Sequence, residues 1–101
     1  MNHCEDKLPY LVTAELAAAN KVNPPFHSTH EGYAVLLEEI EEAKEALNEM
    51  DVSHQMMWVH IKRDNLKAYE YAERVEKYAM RLAAEAIQVA AMARKFQEMG
   101  R

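Results

Sequence analysis

Apolar residues recur at steps of three and four along nearly the whole chain, the period of a helix with one buried face. Leu8, Leu11, Val12, Leu16, Ala19 and Val22 form the first such series, and Asn23-Pro24-Pro25 breaks it. Pro9 suits a first helical turn, so LPYLVTAELAAANKV is predicted to be a helix ending near Val22. The polar residues 1–7, MNHCEDK, are expected to fray. A second series, Ile40, Ala43, Leu47, Met50, His54, Met57 and Ile61, runs without slipping past Asp51 and Ser53, two residues that would otherwise suit a new helix start. One continuous or mildly kinked helix to about Lys62 is the better fit. After the turn signal Arg63-Asp64-Asn65, the same rhythm resumes from Leu66 through Ala68, Ala72, Val75, Ala79, Leu82, Ala86, Val89, Ala93 and Phe96, up to Gly100. That is a third helix.

The second helix has a defined start. Ser28 and Glu31 are spaced as a capping box, in which the hydroxyl accepts from the Glu31 amide and the Glu31 carboxylate reaches back to Ser28. Pro24 and Pro25 keep the preceding backbone extended. The expected fold is therefore all-α, in one domain over 1–101: a short first helix followed by a long antiparallel helical hairpin. Each hairpin helix would run roughly 50 Å at about 1.5 Å per residue. A single chain of this size does not cover both sides of such a hairpin. The alanine-lined seam of the third helix and the patch at Met56, Met57 and Trp58 call for a partner. Self-association into a four-helix-bundle homo-oligomer, a dimer or tetramer, is the economical solution.

Two faces of the second helix compete for the interior. One is Tyr33, Leu36, Leu37, Ile40, Lys44 and Leu47, an apolar stripe at core-seam spacing. The other is Val35, Glu39, Glu42 and Ala46, apolar at its ends and acidic in its middle, with Glu38 beside Glu42. A run such as EEIEEAKE is ordinarily a solvated face. Carboxylates bounded by Val35 and Ala46 instead point to a half-buried acidic pocket, which needs cations or protons to persist.

Composition narrows the class. Half of the 101 residues are hydrophobic, many of them alanine, while two glycines and three prolines leave little material for turns. A net charge of −5 argues against a nucleic-acid or anionic-membrane binder. No apolar run approaches the ~20 residues that span a bilayer, and nothing resembles a signal peptide. Cys4 is the single cysteine, so no intrachain disulfide forms and a cytoplasmic location is expected.

An antiparallel hairpin about Asp64-Asn65 pairs residues whose numbers total about 129, which sets Glu42 at the level of Ile87 and Glu39 at that of Ala90. Glu85 is the nearest acid on the third helix, and Gln88 shares its face three residues on. Oxygen-bearing side chains then converge from two helices, a donor set for hard ions such as Mg²⁺ or Mn²⁺. The pattern Glu38-Glu39-x-x-Glu42 with Glu85-x-x-Gln88 resembles the EExxE…ExxD signature of the all-α NTP pyrophosphohydrolases, the MazG-like superfamily. PPFHSTHEGYAVLLEEIEE and EAIQVAAMARKF are similar to its small phage- and prophage-type members, so that the likeness spans about Leu11 to Met99.

The resemblance implies Mg²⁺-dependent hydrolysis of a (d)NTP to the monophosphate and pyrophosphate. It maps catalytic and metal-binding roles to Glu38, Glu39, Glu42 and Glu85, with Gln88 as a further metal contact. Gln88 stands where the family pattern has aspartate, and the gap between the two motifs is longer than usual. A neutral amide in that place also admits a catalytically silent helical oligomer with an impaired metal site. A helical adaptor whose acidic face binds a basic partner is a third reading. Lys21 and Arg81 are candidate phosphate contacts, though Arg81 is also placed to pair with Glu85 one turn away. Trp58, like Phe26 and Tyr33, is a candidate for stacking on a base. His27 and His30 lack further soft ligands for zinc. His54 falls in the apolar seam as a core histidine.

Overall fold

The computed structural model describes residues 3–100. They form three helices, α1 (Leu8–Val22), α2 (Thr29–Lys62) and α3 (Lys67–Glu98), with no strand among the described residues. The all-α class follows directly. Met1 and Asn2, part of the segment expected to fray, lie outside the described residues, while Glu5–Lys7 make a 3₁₀ turn that leads into α1. Pro9 sits in the first turn of α1, and Asn23 takes an extended conformation that ends it.

At the start of α2 the Glu31 amide donates to the Ser28 hydroxyl at 3.1 Å, as the capping box requires. The Glu31 carboxylate, however, accepts from the backbone N–H of His27 at 3.4 Å, one residue earlier than the box pattern implies. α2 passes through Asp51–Ser53 unbroken. The Ser53 hydroxyl donates to the carbonyl of Glu49 at 2.8 Å, a bond along the helix that takes the place of a cap. The turn into α3 is made by Asp64, whose φ of 52° is left-handed, and by Asn65, whose side-chain oxygen accepts from the Lys67 amide at 2.9 Å.

The chain divides into two compact units, Met1–Ile40 with Glu85–Arg101, and Glu41–Ala84. In the first, α1 and the ends of α2 and α3 enclose a core of Val12, Leu16, Phe26, Ala91 and Met92, with Val35, Leu36, Ile87 and Phe96 packed around it. Burial of each larger side chain stabilises by about 1.5–3 kcal/mol. Gly32 is required here by space: a Cβ would stand 2.5 Å from Cδ2 of Phe96 and 3.1 Å from Cδ2 of Phe26. Arg94 donates to the Thr13 hydroxyl at 2.7 Å and ties α3 to α1.

The second unit is a helical hairpin. His60 stacks on Tyr71 with ring centres 5.3 Å apart, and Arg81 reaches Glu45 at 3.8 Å, the descending order of an antiparallel pair. Its buried residues are Ala46, Ser53 and His60, and no large apolar side chain is among them. Leu47, Val52, Trp58, Ile61, Leu66, Tyr69 and Met80 are exposed.

Of the two competing faces of α2, the acidic one turns inward. Ala46 is fully buried and Val35 and Glu39 are half-buried, although Glu42 is exposed; of the apolar stripe, Leu36 is half-buried while Tyr33, Leu37, Ile40, Lys44 and Leu47 are exposed. Along α3 the expected positions from Ala68 to Leu82 are half-buried. Nearer its end the buried side chains are Ala91, Met92 and Lys95, because α1 packs against that part of the helix and draws a different face inward.

Candidate metal centre

Position 39 lies on the inward face of α2, and the helical repeat brings position 42 back to the same side one turn later. Glu39 and Glu85, both in the first unit, present carboxylate oxygens within 4.8 Å of each other, and Glu42, three residues on in the unbroken α2, offers a third within that distance. Glu39 and Glu85 are half-buried and Glu42 is exposed. Three carboxylates this close, two of them partly withdrawn from water, raise the free energy of the empty cluster and favour any cation that enters. Hard oxygen donors at this spacing fit a divalent ion of the Mg²⁺ or Mn²⁺ kind.

Glu38 stands apart from the three. It is exposed, because one residue back along a helix is a turn of about 100° away from Glu39. Gln88 is half-buried and lines a cavity of about 230 Å³ within the first unit, together with Asn23, Phe26, Glu31, Glu39 and Lys95. The amide is therefore beside Glu39, on the side of the cavity.

The other sequence candidates are dispersed. Lys21 is exposed in the last turn of α1. Arg81 pairs with Glu45, and not with Glu85, because the antiparallel partner helix brings Glu45 within reach. Trp58 is exposed, with the Lys62 ammonium 5.6 Å from the centre of its ring. His54 is exposed as well; the buried histidine is His60, whose Nδ1 has no hydrogen-bond partner.

Lys95 was not among the residues that the pattern singled out. It is 6 % exposed, its ammonium lies 4.7 Å from the centre of the Phe26 ring, and it lines the same cavity as Glu39. The signal was present in the spacing, since Gln88, Met92 and Lys95 follow one another at steps of four and three. Val89, Ala93 and Phe96, at the same steps one residue further on, mask it by marking a different inner face. In comparisons with protein-family models, with curated proteins and with solved structures, nothing matches this chain.

Proposed function

We propose that this chain is a Mg²⁺-dependent nucleoside triphosphate pyrophosphohydrolase, which converts a (d)NTP to its monophosphate and pyrophosphate. The observation that carries the reading is the convergence of Glu39, Glu42 and Glu85 from two helices far apart in sequence. Their spacing is the one on which the resemblance to the MazG-like enzymes rests. These three residues would hold the ion, which supplies charge neutralisation of the triphosphate and activation of water. Hydrolysis breaks the bond between the α-phosphorus and the α–β bridging oxygen as the water oxygen bonds to phosphorus. The proton lost by the water passes to a carboxylate of this acidic set, and pyrophosphate leaves with the bridging oxygen.

A second reading, a silent oligomer of the same fold, is favoured by one feature. Gln88 brings no charge to the wall beside Glu39, where the family pattern has an acid. Pyrophosphate release across an NTP and dNTP panel with Mg²⁺ or Mn²⁺ separates the two. Release that stops with chelator and in Glu85→Gln is the expected result. No release from any nucleotide, in a folded protein whose Mg²⁺ binding by calorimetry is weak or absent, would leave the silent reading.

The proposal includes self-association. In the second unit, grooves of about 490 and 380 Å³ are lined by Leu47, Met50 and His54 and by Met57 and Ile61, at alternating steps of three and four. Open grooves at that spacing are what a second helical hairpin of the same pattern fills.

A further inference from the structure

We propose that Lys95 is an oxyanion contact, and that the cavity it shares with Glu39 receives a phosphate group of a polyphosphate ligand; this deepens, and rests on, the reading of Glu39, Glu42 and Glu85 as a metal centre. Lys95 is the only buried lysine or arginine among the described residues. An ammonium is a compact point charge that is costly to withdraw from water, and a phosphate is among the groups that best repay its placement at a cavity wall.

The surroundings favour that ligand. The Phe26 ring lies under the ammonium at 4.7 Å and fixes its position, while Val35 and Met92 keep the walls apolar. In such a site a charge-assisted hydrogen bond is stronger than in open water. Asn23 and Gln88 line the same cavity and bring neutral amide donors, which an oxyanion accepts from without a further charge being buried. Gln88 would on this view donate to the phosphate while standing beside Glu39.

The cavity also holds Glu31 and Glu39, whose charges oppose a bare anion. A polyphosphate therefore enters with its divalent cation and not alone. Among the other described lysines and arginines of this unit, Arg94 donates to Thr13, and Lys7 and Lys21 are exposed.

Titration calorimetry with inorganic tripolyphosphate, with and without Mg²⁺, tests this on the intact chain. The wild type should bind tripolyphosphate only when Mg²⁺ is present. Lys95→Met, which keeps an unbranched apolar side chain and removes the charge, should weaken that binding at least tenfold and leave the affinity for Mg²⁺ alone undiminished. Lys95→Arg should retain most of it. Unchanged binding by a folded Lys95→Met protein overturns the proposal, as does a wild type that binds no tripolyphosphate. Should Lys95→Met not fold, the wild type labelled with ¹³C-lysine decides the matter by NMR. The Lys95 resonance, assigned by its absence in Lys95→Arg, should shift on saturation with Mg²⁺-tripolyphosphate, and a stationary signal overturns the proposal. The outcomes separate from those of the hydrolase reading. An active wild type whose tripolyphosphate affinity survives Lys95→Met refutes the phosphate contact alone. Loss of tripolyphosphate binding in Lys95→Met, with no nucleotide hydrolysed by the wild type, refutes the hydrolase alone.

Discussion

Replacing Glu85 by glutamine tests the acidic cluster without relying on catalysis. Two unit charges at 4.8 Å, the outer limit of the spacing between these carboxylate oxygens, repel by about 3.5 kcal/mol at an effective dielectric near 20. Glu42 is exposed and the other two are only half-buried, so solvent screening reduces this to about 1 kcal/mol for each pair. Glu85→Gln removes two of the three repelling pairs and nearly preserves volume. In chelator the variant should be more stable than the wild type by about 1–2 kcal/mol, or a melting point higher by roughly 5–10 °C for a domain of this size. Magnesium reverses the order. An ion present at a hundred times its dissociation constant stabilises the wild type by about 2.7 kcal/mol, and this should largely vanish in the variant. Melting curves at one fixed chain concentration, with EDTA and with Mg²⁺, give all four numbers. A variant that melts below the wild type in EDTA would mean that the carboxylates do not repel as the structure implies. An equal magnesium shift in both proteins would place the ion elsewhere.

Gln88→Asp should tighten Mg²⁺ or Mn²⁺ binding at least tenfold, about 1.4 kcal/mol, and lower the melting point in EDTA, as read by calorimetry and thermal scans; no change in either would remove position 88 from the cluster. Gly32→Ala gains about 1 kcal/mol of helix propensity but forces a Cβ to within 2.5 Å of the Phe96 ring, which costs about 1–3 kcal/mol, so a net loss is expected that Phe96→Leu in the same protein recovers. A higher melting point for Gly32→Ala would refute the close packing of Phe26 and Phe96. Sedimentation of the wild type should give a multiple of 11.7 kDa, and Leu47→Arg with Ile61→Arg should shift it toward a single chain; a monomeric wild type at micromolar concentration would end the self-association proposal.

Much of the backbone plan is legible in local signals. The Asn23-Pro24-Pro25 stop, the Ser28 start and the Asp64-Asn65 turn each act within a few residues, and each is where the chain pattern puts it. The seam that keeps its step across Asp51–Ser53 reports an unbroken α2, since a helix break would have shifted the phase of the following residues. Val35 and Ala46 at the ends of an acidic row weaken the solvated reading of that face, and it turns inward at Val35, Glu39 and Ala46 while Glu42 stays exposed. The approach of Glu85 to Glu39 and Glu42 follows from an antiparallel hairpin whose turn is locally defined.

What neighbours a side chain meets is a different kind of information. Helices of more than thirty residues pass different partners along their length, so one periodic stripe does not stay the buried one from end to end. That is why the stripe of Tyr33, Leu37 and Ile40 lies exposed although its spacing is that of a core, and why Ala91, Met92 and Lys95 are buried in place of Ala86. Rotation about a helix axis also separates Glu38 from its neighbour Glu39, and the opposing helix decides that Arg81 meets Glu45 and that His60, not His54, is enclosed. Lys95 is the sharpest instance. By sequence it is one more lysine near a helix end, and its burial over Phe26 arises only because α1, the start of α2 and the end of α3 close on one another around that ring.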